Sequence, residues 1–241
     1  MNKLVIVTGA SRGLGLAICR QLLQQGFTVL ALARTLSTDL NALTEQYGSD
    51  LTFVSADLSD LDNIQPLCSE LIKQHGRPYA LINNAAVGYD GVLATMHNSE
   101  INALLNLNVQ APILLTKYLL RPMLLNQSGR IINISSIIAR TGFNGLSVYA
   151  ASKAALEGFT KSLSREVGKA GITVNCVAPG YMQTEMTNSL QGDKLESIKR
   201  RSPLGRLATP DDAAGAVLYL LSEQAAAITG TTLTVDAGST A

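Results

Sequence analysis

The sequence predicts an α/β fold: a single doubly wound domain in which a seven-stranded parallel sheet is flanked by helices on both faces. Three observations predict it. Short aliphatic and β-branched runs recur along the 241 residues, and several of the stretches between them carry apolar residues at helical spacing. The first run passes directly into a glycine turn and an amphipathic helix, the opening of a Rossmann-type nucleotide-binding unit. Hydrophobic residues make up 46% of the chain and charged ones 15%, with no linker-like tract and no repeat, so one large core is expected.

Composition also excludes several functions. A net charge of +1 with no block of like charges argues against nucleic acid, and Lys199-Arg200-Arg201, the densest basic run, reads as a solvated helix end. Cys19, Cys68 and Cys176 are odd in number and have only His75 and His97 for company, so no metal site is expected and the thiols read as free and reduced. Leu4–Val7 is too short for a signal segment or a membrane span, which points to a cytoplasmic protein without membrane association.

Leu4–Val7 reads as a central strand, and Thr8–Gly15 (TGASRGLG) as a phosphate corner. Gly9, Gly13 and Gly15 permit a tight turn and close backbone approach. Leu14, Ile18 and Leu22 give the following helix one apolar face, and Gly26 follows its end. The second strand, Thr28–Ala33, ends at Arg34-Thr35, where a site selective for NAD carries an acid for the ribose diol. Arg34 and Arg12 instead offer two guanidiniums for a 2'-phosphate, which favours NADP(H); the plainer reading is that Arg34 is an exposed strand-end residue. Leu51–Ser55 is a third strand leading to Asp57, a candidate acceptor from the adenine amino group or equally a turn residue. Leu61–His75 has a helical pattern. Ala80–Ile82 forms a fourth strand ending in Asn83-Asn84-Ala85-Ala86, where small residues let a cofactor lie against the backbone and the amides can tie strands together.

A long helical stretch starts at Asn98-Ser99-Glu100 and runs to about Leu125, interrupted by Asn106 and Asn108. Asn108 either opens the helix locally, binds water behind Lys153, or is a satisfied interior polar residue. The fifth strand, Ile131–Ile134, places Ser136 at the carboxyl edge of the sheet, where open α/β sheets build their sites. With Ser147 as cap, a helix from Val148 to Lys169 puts Tyr149 and Lys153 one turn apart on one face. A positive charge at about 5 Å in an effective dielectric of about 20 favours phenolate by roughly 3 kcal/mol, so Lys153 is expected to lower the pKa of Tyr149 by about two units. The small residues Ala150, Ala151, Ala154, Ala155 and Gly158 suit close packing, either on the chain's own sheet or on a second subunit. Ile172–Val177 is a sixth strand that Ala178-Pro179-Gly180 ends abruptly. Residues 181–206, with Met182, Met186, Leu190 and Leu195, fit a substrate-binding flap. Thr209-Pro210-Asp211-Asp212 starts a helix ending near Ser222, and Thr231–Val235 is the last strand.

These residues together resemble the short-chain dehydrogenase/reductase family over the whole chain. The glycine motif is matched by Thr8, Gly9, Gly13 and Gly15, the adenine-site aspartate by Asp57, and the sheet-stabilising motif by Asn83-Asn84-Ala85. The family's catalytic tetrad is matched by Asn108, Ser136, Tyr149 and Lys153, with the serine thirteen residues before the tyrosine, and the nicotinamide segment by Pro179-Gly180 with Thr184. Ala86 departs from the family's usual glycine.

The resemblance implies a cofactor site that also takes in Ser11, Arg12, Leu14, Arg34, Leu58, Ala85 and Ala86, a tetrameric assembly, and NADP(H) as cofactor. Within the family, SVYAASKAAL and ITGTTLTVDAG are most similar to bacterial 3-oxoacyl-acyl-carrier-protein reductases, which implies reduction of a 3-oxoacyl thioester presented by acyl carrier protein. Carrier docking in those reductases uses basic positions, of which Arg130 matches one and Lys169 stands beside the other. The alternatives are an NADP-dependent reductase of another alcohol, sugar or ketone, and a non-catalytic NADPH-sensing or scaffold protein.

Overall fold

The computed structural model describes residues 3–182 and 199–241. Among them, seven strands form one parallel sheet: β1 (Leu4–Thr8), β2 (Thr28–Ala33), β3 (Leu51–Ser55), β4 (Ala80–Asn83), β5 (Gly129–Ile134), β6 (Ile172–Pro179) and β7 (Thr232–Val235). Their order is β3-β2-β1-β4-β5-β6-β7, so the chain works outward from β1 to one edge and then returns to build the other half. The order reverses between β1 and β4, which opens a crevice at the carboxyl ends of these strands.

Both faces of the central strands are apolar, and alternate residues divide between two cores. Val5, Val7, Val29 and Ala31 face one layer with α1 (Gly13–Gln24) and the late helix Pro210–Leu221. Leu4, Ile6, Leu30 and Leu32 face the other, with α3 (Ile64–His75), α5 (Ala111–Asn126) and α7 (Ser147–Val167). A fully buried Ile or Leu in such a layer contributes about 1.5–3 kcal/mol by area, which is why continuous aliphatic runs form these strands. The remaining helices are α2 (Thr38–Tyr47), α4 (Asn98–Leu105) and α6 (Ile138–Thr141); Pro210–Leu221 is α8. No helix among the described residues is long and apolar enough to cross a membrane, and none of their His, Cys, Asp and Glu side chains cluster as a metal site.

Some boundaries differ from the sequence reading. The α7 helix begins at Ser147 itself, with Leu146 at the cap position and no side-chain cap bond, so Ser147 is the first helical residue rather than the cap. It ends at Val167, followed by a tight 3-10 turn over Gly168–Ala170. The stretch from Asn98 is two helices separated by a π turn, Asn106–Gln110. The β6 strand runs through Pro179: proline lacks only the N–H, and its carbonyl still accepts from Ile137 N at 3.1 Å. The start of α8 follows the sequence reading, with Thr209 Oγ1 accepting from Asp212 N at 3.1 Å.

The chain closes on itself at its carboxyl end. The Asp236 carboxylate accepts from Gly238 N, Ser239 Oγ, Thr240 N and Thr240 Oγ1 at 2.7–3.0 Å, which folds the last residues into a hook. Gly180 N donates to Val235 O at 2.9 Å, Leu204 N to Ala237 O at 3.4 Å, and Met182 bridges to Ala208.

Candidate active site

The glycine corner joins the end of β1 to α1. Gly9 has φ +65°, and a Cβ there would lie 2.9 Å from Ala85 Cα; a Cβ on Gly15 would lie 2.1 Å from Gly9 O. Any side chain at Gly15 therefore forces the turn apart. The α1 amino end has neither a side-chain cap bond from Arg12 nor an acid in its first turn, so its N–H groups and dipole suit an anion. Leu14 is buried in the first turn, Ser11 is partly buried, and Ser37 Oγ donates to Ser11 O while capping α2. The Asn84 amide donates to Thr8 O at 2.8 Å and Gly9 O at 3.2 Å, and Thr8 Oγ1 accepts from Asn84 N and Ala85 N at 2.9 Å. The corner is thus pinned to the β4 loop, with Ala86 beside it. Arg34 is exposed at the end of β2. Asp57, after β3, accepts from Ser59 N at 2.9 Å and Ser59 Oγ at 2.6 Å, which with Arg34 nearby holds its carboxyl below the usual range; Leu58 is buried.

A buried polar ladder crosses the sheet beneath the crevice. Asn83 Nδ2 donates to Thr116 Oγ1 and Asn133 Oδ1, Asn133 Nδ2 donates to Thr160 Oγ1 at 2.8 Å, and Thr160 reaches Cys176 Sγ at 3.1 Å. It ties α5, β4, β5, α7 and β6 in one register. Asn108, in the π turn, accepts from Val87 N and donates to Val87 O, both at 2.9 Å, and donates to Ser152 Oγ at 3.3 Å. The helix opens at Asn108, and its side-chain amide is engaged by the β4 loop and α7.

Ser136, Tyr149 and Lys153 come together at the carboxyl edge. Ile138 N donates to Ser136 Oγ at 3.3 Å, and the Ser136 hydroxyl stands near enough to the Tyr149 phenol to oppose the rise in its pKa. Lys153 is 3% exposed; its Nζ donates to Ile134 O at 2.9 Å and lies 5.6 Å from the Tyr149 ring centroid. Burial pushes the Tyr149 phenol up to about 12, the Ser136 hydroxyl opposing and Tyr181 adding to the rise. Burial likewise pulls Lys153 down to about 8. The expected lowering of the phenol's pKa is therefore not found: loss of hydration dominates, and Tyr149 holds its proton throughout the neutral range. Pro179 and Gly180 lie across the crevice, Gly180 pressed against Asp236; Thr184 lies outside the described residues, as does most of the predicted flap.

This arrangement can bind a dinucleotide at the corner and deliver a proton at the carboxyl edge. Residues 9–240 match the family model described as enoyl-(acyl carrier protein) reductase. The 3-oxoacyl-[acyl-carrier-protein] reductases of Vibrio harveyi and Escherichia coli are 39% and 38% identical over 237 residues, 98% of this chain and 97% of theirs. The chain belongs to the short-chain dehydrogenase/reductase family. A structure from Beutenbergia cavernae assigned as an NAD(P)-dependent gluconate 5-dehydrogenase, with bound NADP, superposes on this short-chain dehydrogenase/reductase with a TM-score of 0.92, at 33% identity and covering 98% of this chain and 96% of that one. An acetoacetyl-CoA reductase of Acinetobacter is 37% identical over 98% of this chain and 97% of its own length. As a short-chain dehydrogenase/reductase, the protein is an oxidoreductase.

Two predicted docking residues lie elsewhere. Arg130 begins β5 at the amino edge of the sheet, opposite the site, and is 5% exposed. Its guanidinium lies 5.6 Å from the Tyr79 ring centroid, donates to Gly129 O and pairs with Glu223 at 3.8 Å. It is a buried anchor, not a surface charge, with its backbone N–H donating to Tyr79 O at 3.0 Å. Lys169 is exposed, also at the amino edge. Conversely, Ser135, Arg140 and Glu157 form a group behind the site that no spacing announces, since a glutamate on a long helix reads as a solvated charge.

Proposed function

We propose that this protein uses NADPH to reduce a 3-oxoacyl thioester, carried by acyl carrier protein, to the 3-hydroxyacyl form in fatty-acid or related polyketide-type biosynthesis. One observation carries the reading: Ser136 beside a Tyr149 that keeps its proton, with a buried Lys153 one turn away, at the edge reached from a glycine corner suited to an anion. The curated relatives that share nearly the whole chain act on 3-oxoacyl and acetoacetyl thioesters by name.

The corner from Gly9 to Gly15, with Arg12 and Arg34, would hold the phosphates; Asp57 and Leu58 the adenine; Asn84, Ala85, Ala86, Pro179, Gly180 and Thr184 the nicotinamide half, with Lys153 on its ribose. When bound, NADPH supplies the hydride. Ser136 holds the substrate carbonyl oxygen. Tyr149 gives its proton to that oxygen as the carbon accepts the electron pair, so alkoxide charge is never released into the site. Lys153 stabilises the phenolate left behind, and solvent then returns the proton. Asn108 fixes the β4 loop and α7 relative to one another. We further propose a homotetramer, for which Ile113, Leu125 and Leu233 supply exposed apolar surface on α5 and β7.

Replacing Tyr149 with Phe is expected to lower turnover by about 10²–10⁴-fold while leaving NADPH affinity within about twofold. Wild-type turnover in this variant removes the mechanism. A second reading, oxidoreduction of a sugar or polyol, is favoured by the superposition on the gluconate dehydrogenase. Steady-state rates with carrier-linked, CoA-linked and free 3-oxo substrates, set against sugar acids, separate the two.

A further inference from the structure

The buried face of the first turns of α7 is unusually polar. Between Ser147 and Thr160 its buried residues are Ser152, Lys153, Leu156, Glu157 and Thr160, so Leu156 is the only aliphatic among them. Packing of apolar side chains therefore does little to set where Tyr149 stands. Directed bonds must do so.

The bonds converge on Glu157, which is 7% exposed. Its Oε1 accepts from Ser135 Oγ at 3.1 Å, and its Oε2 from Arg140 Nε at 2.9 Å. Ser135 Oγ also reaches Lys153 O at 3.2 Å. Ser135 precedes Ser136, and Arg140 lies on α6, which follows it. The backbone of this turn is itself fixed to β6, Ser135 N donating to Val177 O at 2.8 Å and Ile137 N to Pro179 O at 3.1 Å. Glu157 thus joins a rigid turn carrying Ser136 to the helix carrying Tyr149 and Lys153. A buried carboxylate is a poor way to gain stability, since an apolar side chain of the same shape usually does as well. What it provides is a fixed geometry, because both oxygens are bound from opposite ends of one turn.

We propose that Glu157, clamped by Arg140 and Ser135, is a positioning residue that holds the Tyr149 phenol at the Ser136 hydroxyl, and so tunes the proton-delivery step without touching substrate or cofactor. The proposal rests on the catalytic reading of Ser136 and Tyr149. Arg140 is half-exposed, so its loss should not unfold the chain.

The test uses the full-length protein, NADPH and a 3-oxo or simple ketone substrate that the wild type reduces. Arg140→Ala is expected to lower kcat about tenfold or more, with KM and the NADPH Kd within about threefold and a larger primary isotope effect from deuterated NADPH. Arg140→Lys should recover most of the loss. Glu157→Gln, which keeps the shape and loses the charge, should behave as Arg140→Ala does. The deciding measurement is the double variant: in a Ser136→Ala background, Arg140→Ala should cost nothing further, since the clamp acts through that serine. Wild-type kcat in Arg140→Ala, or a full multiplicative loss in the Ser136→Ala background, overturns the clamp. If Tyr149→Phe keeps wild-type kcat, the catalytic reading itself fails; an inactive Tyr149→Phe beside a fully active Arg140→Ala removes the clamp alone.

Discussion

Burial acts on Tyr149 and Lys153 in the same sense, toward the uncharged form of each, and this sets two pH dependences. Lys153 ionises near 8 in the folded chain, against an ordinary 10.5. Reductive turnover is therefore expected to fall as pH rises through about 8, because the phenolate formed at Tyr149 loses its counter-charge; a pH profile of kcat at saturating NADPH shows it. Stability moves the other way. Between about 8 and 10.5 the unfolded chain binds the proton that folded Lys153 has lost, so this group's contribution improves with rising pH. Below about 8 its penalty is constant, on the order of 3 kcal/mol. Lys153→Met should accordingly be inactive yet gain in relative stability at pH 7, and lose that gain by pH 10.5, as read from urea midpoints of both proteins. Arg34 offers a separate test. Its guanidinium stands exposed at the end of β2, where the 2'-phosphate would lie, so Arg34→Ala should raise KM for NADPH at least tenfold and leave KM for NADH nearly unchanged.

Among the elements, the π turn between α4 and α5 binds the most to the site. Asn108 satisfies both backbone groups of Val87, so Asn108→Leu strands an N–H and a C=O in a half-buried place. A loss of roughly 2–4 kcal/mol is expected, visible as a melting temperature lower by about 5–15 °C, with turnover reduced because the β4 loop is no longer tied to α7. This element was only half legible in the sequence. An asparagine inside an apolar helix signals a need for a partner, but the partner is Val87, fixed only by the fold. The central strands were legible almost to the residue, because a strand buried on both faces must be aliphatic throughout, as Leu4–Val7 and 29–33 are. The α2 helix escaped notice because it buries only Leu40 and so has no apolar stripe. Within the site, Ser136, Tyr149 and Lys153 could be read from spacing. The Ser135–Glu157–Arg140 group and the raised phenol could not, since burial is a property of the folded whole and spacing carries no measure of it.

At the scale of the molecule, the parallel sheet separates labour between its two edges. At the amino edge Glu223 gathers Lys3 at 2.7 Å and Arg130 at 3.8 Å beside Tyr79, and so joins the start of β1 and β5 to the turn after α8. The carboxyl edge holds Ser136, Tyr149 and Lys153. Arg130 belongs to the first edge, where it is buried beside Tyr79. The hook at the carboxyl terminus matters here. Gly180, Met182, Leu204 and Ala208 are all fastened to the last strand, to the hook or to one another, so the described segments on either side meet at one place. Residues 183–198 are the part of the sequence that lies between Met182 and Lys199. Transplanting the corresponding segment of a relative with a different substrate should change which carbonyl compound is reduced, measured as the ratio of kcat/KM values, while the melting temperature stays within a few degrees. Selectivity in this scaffold can then be rewritten without redesigning the reaction it serves.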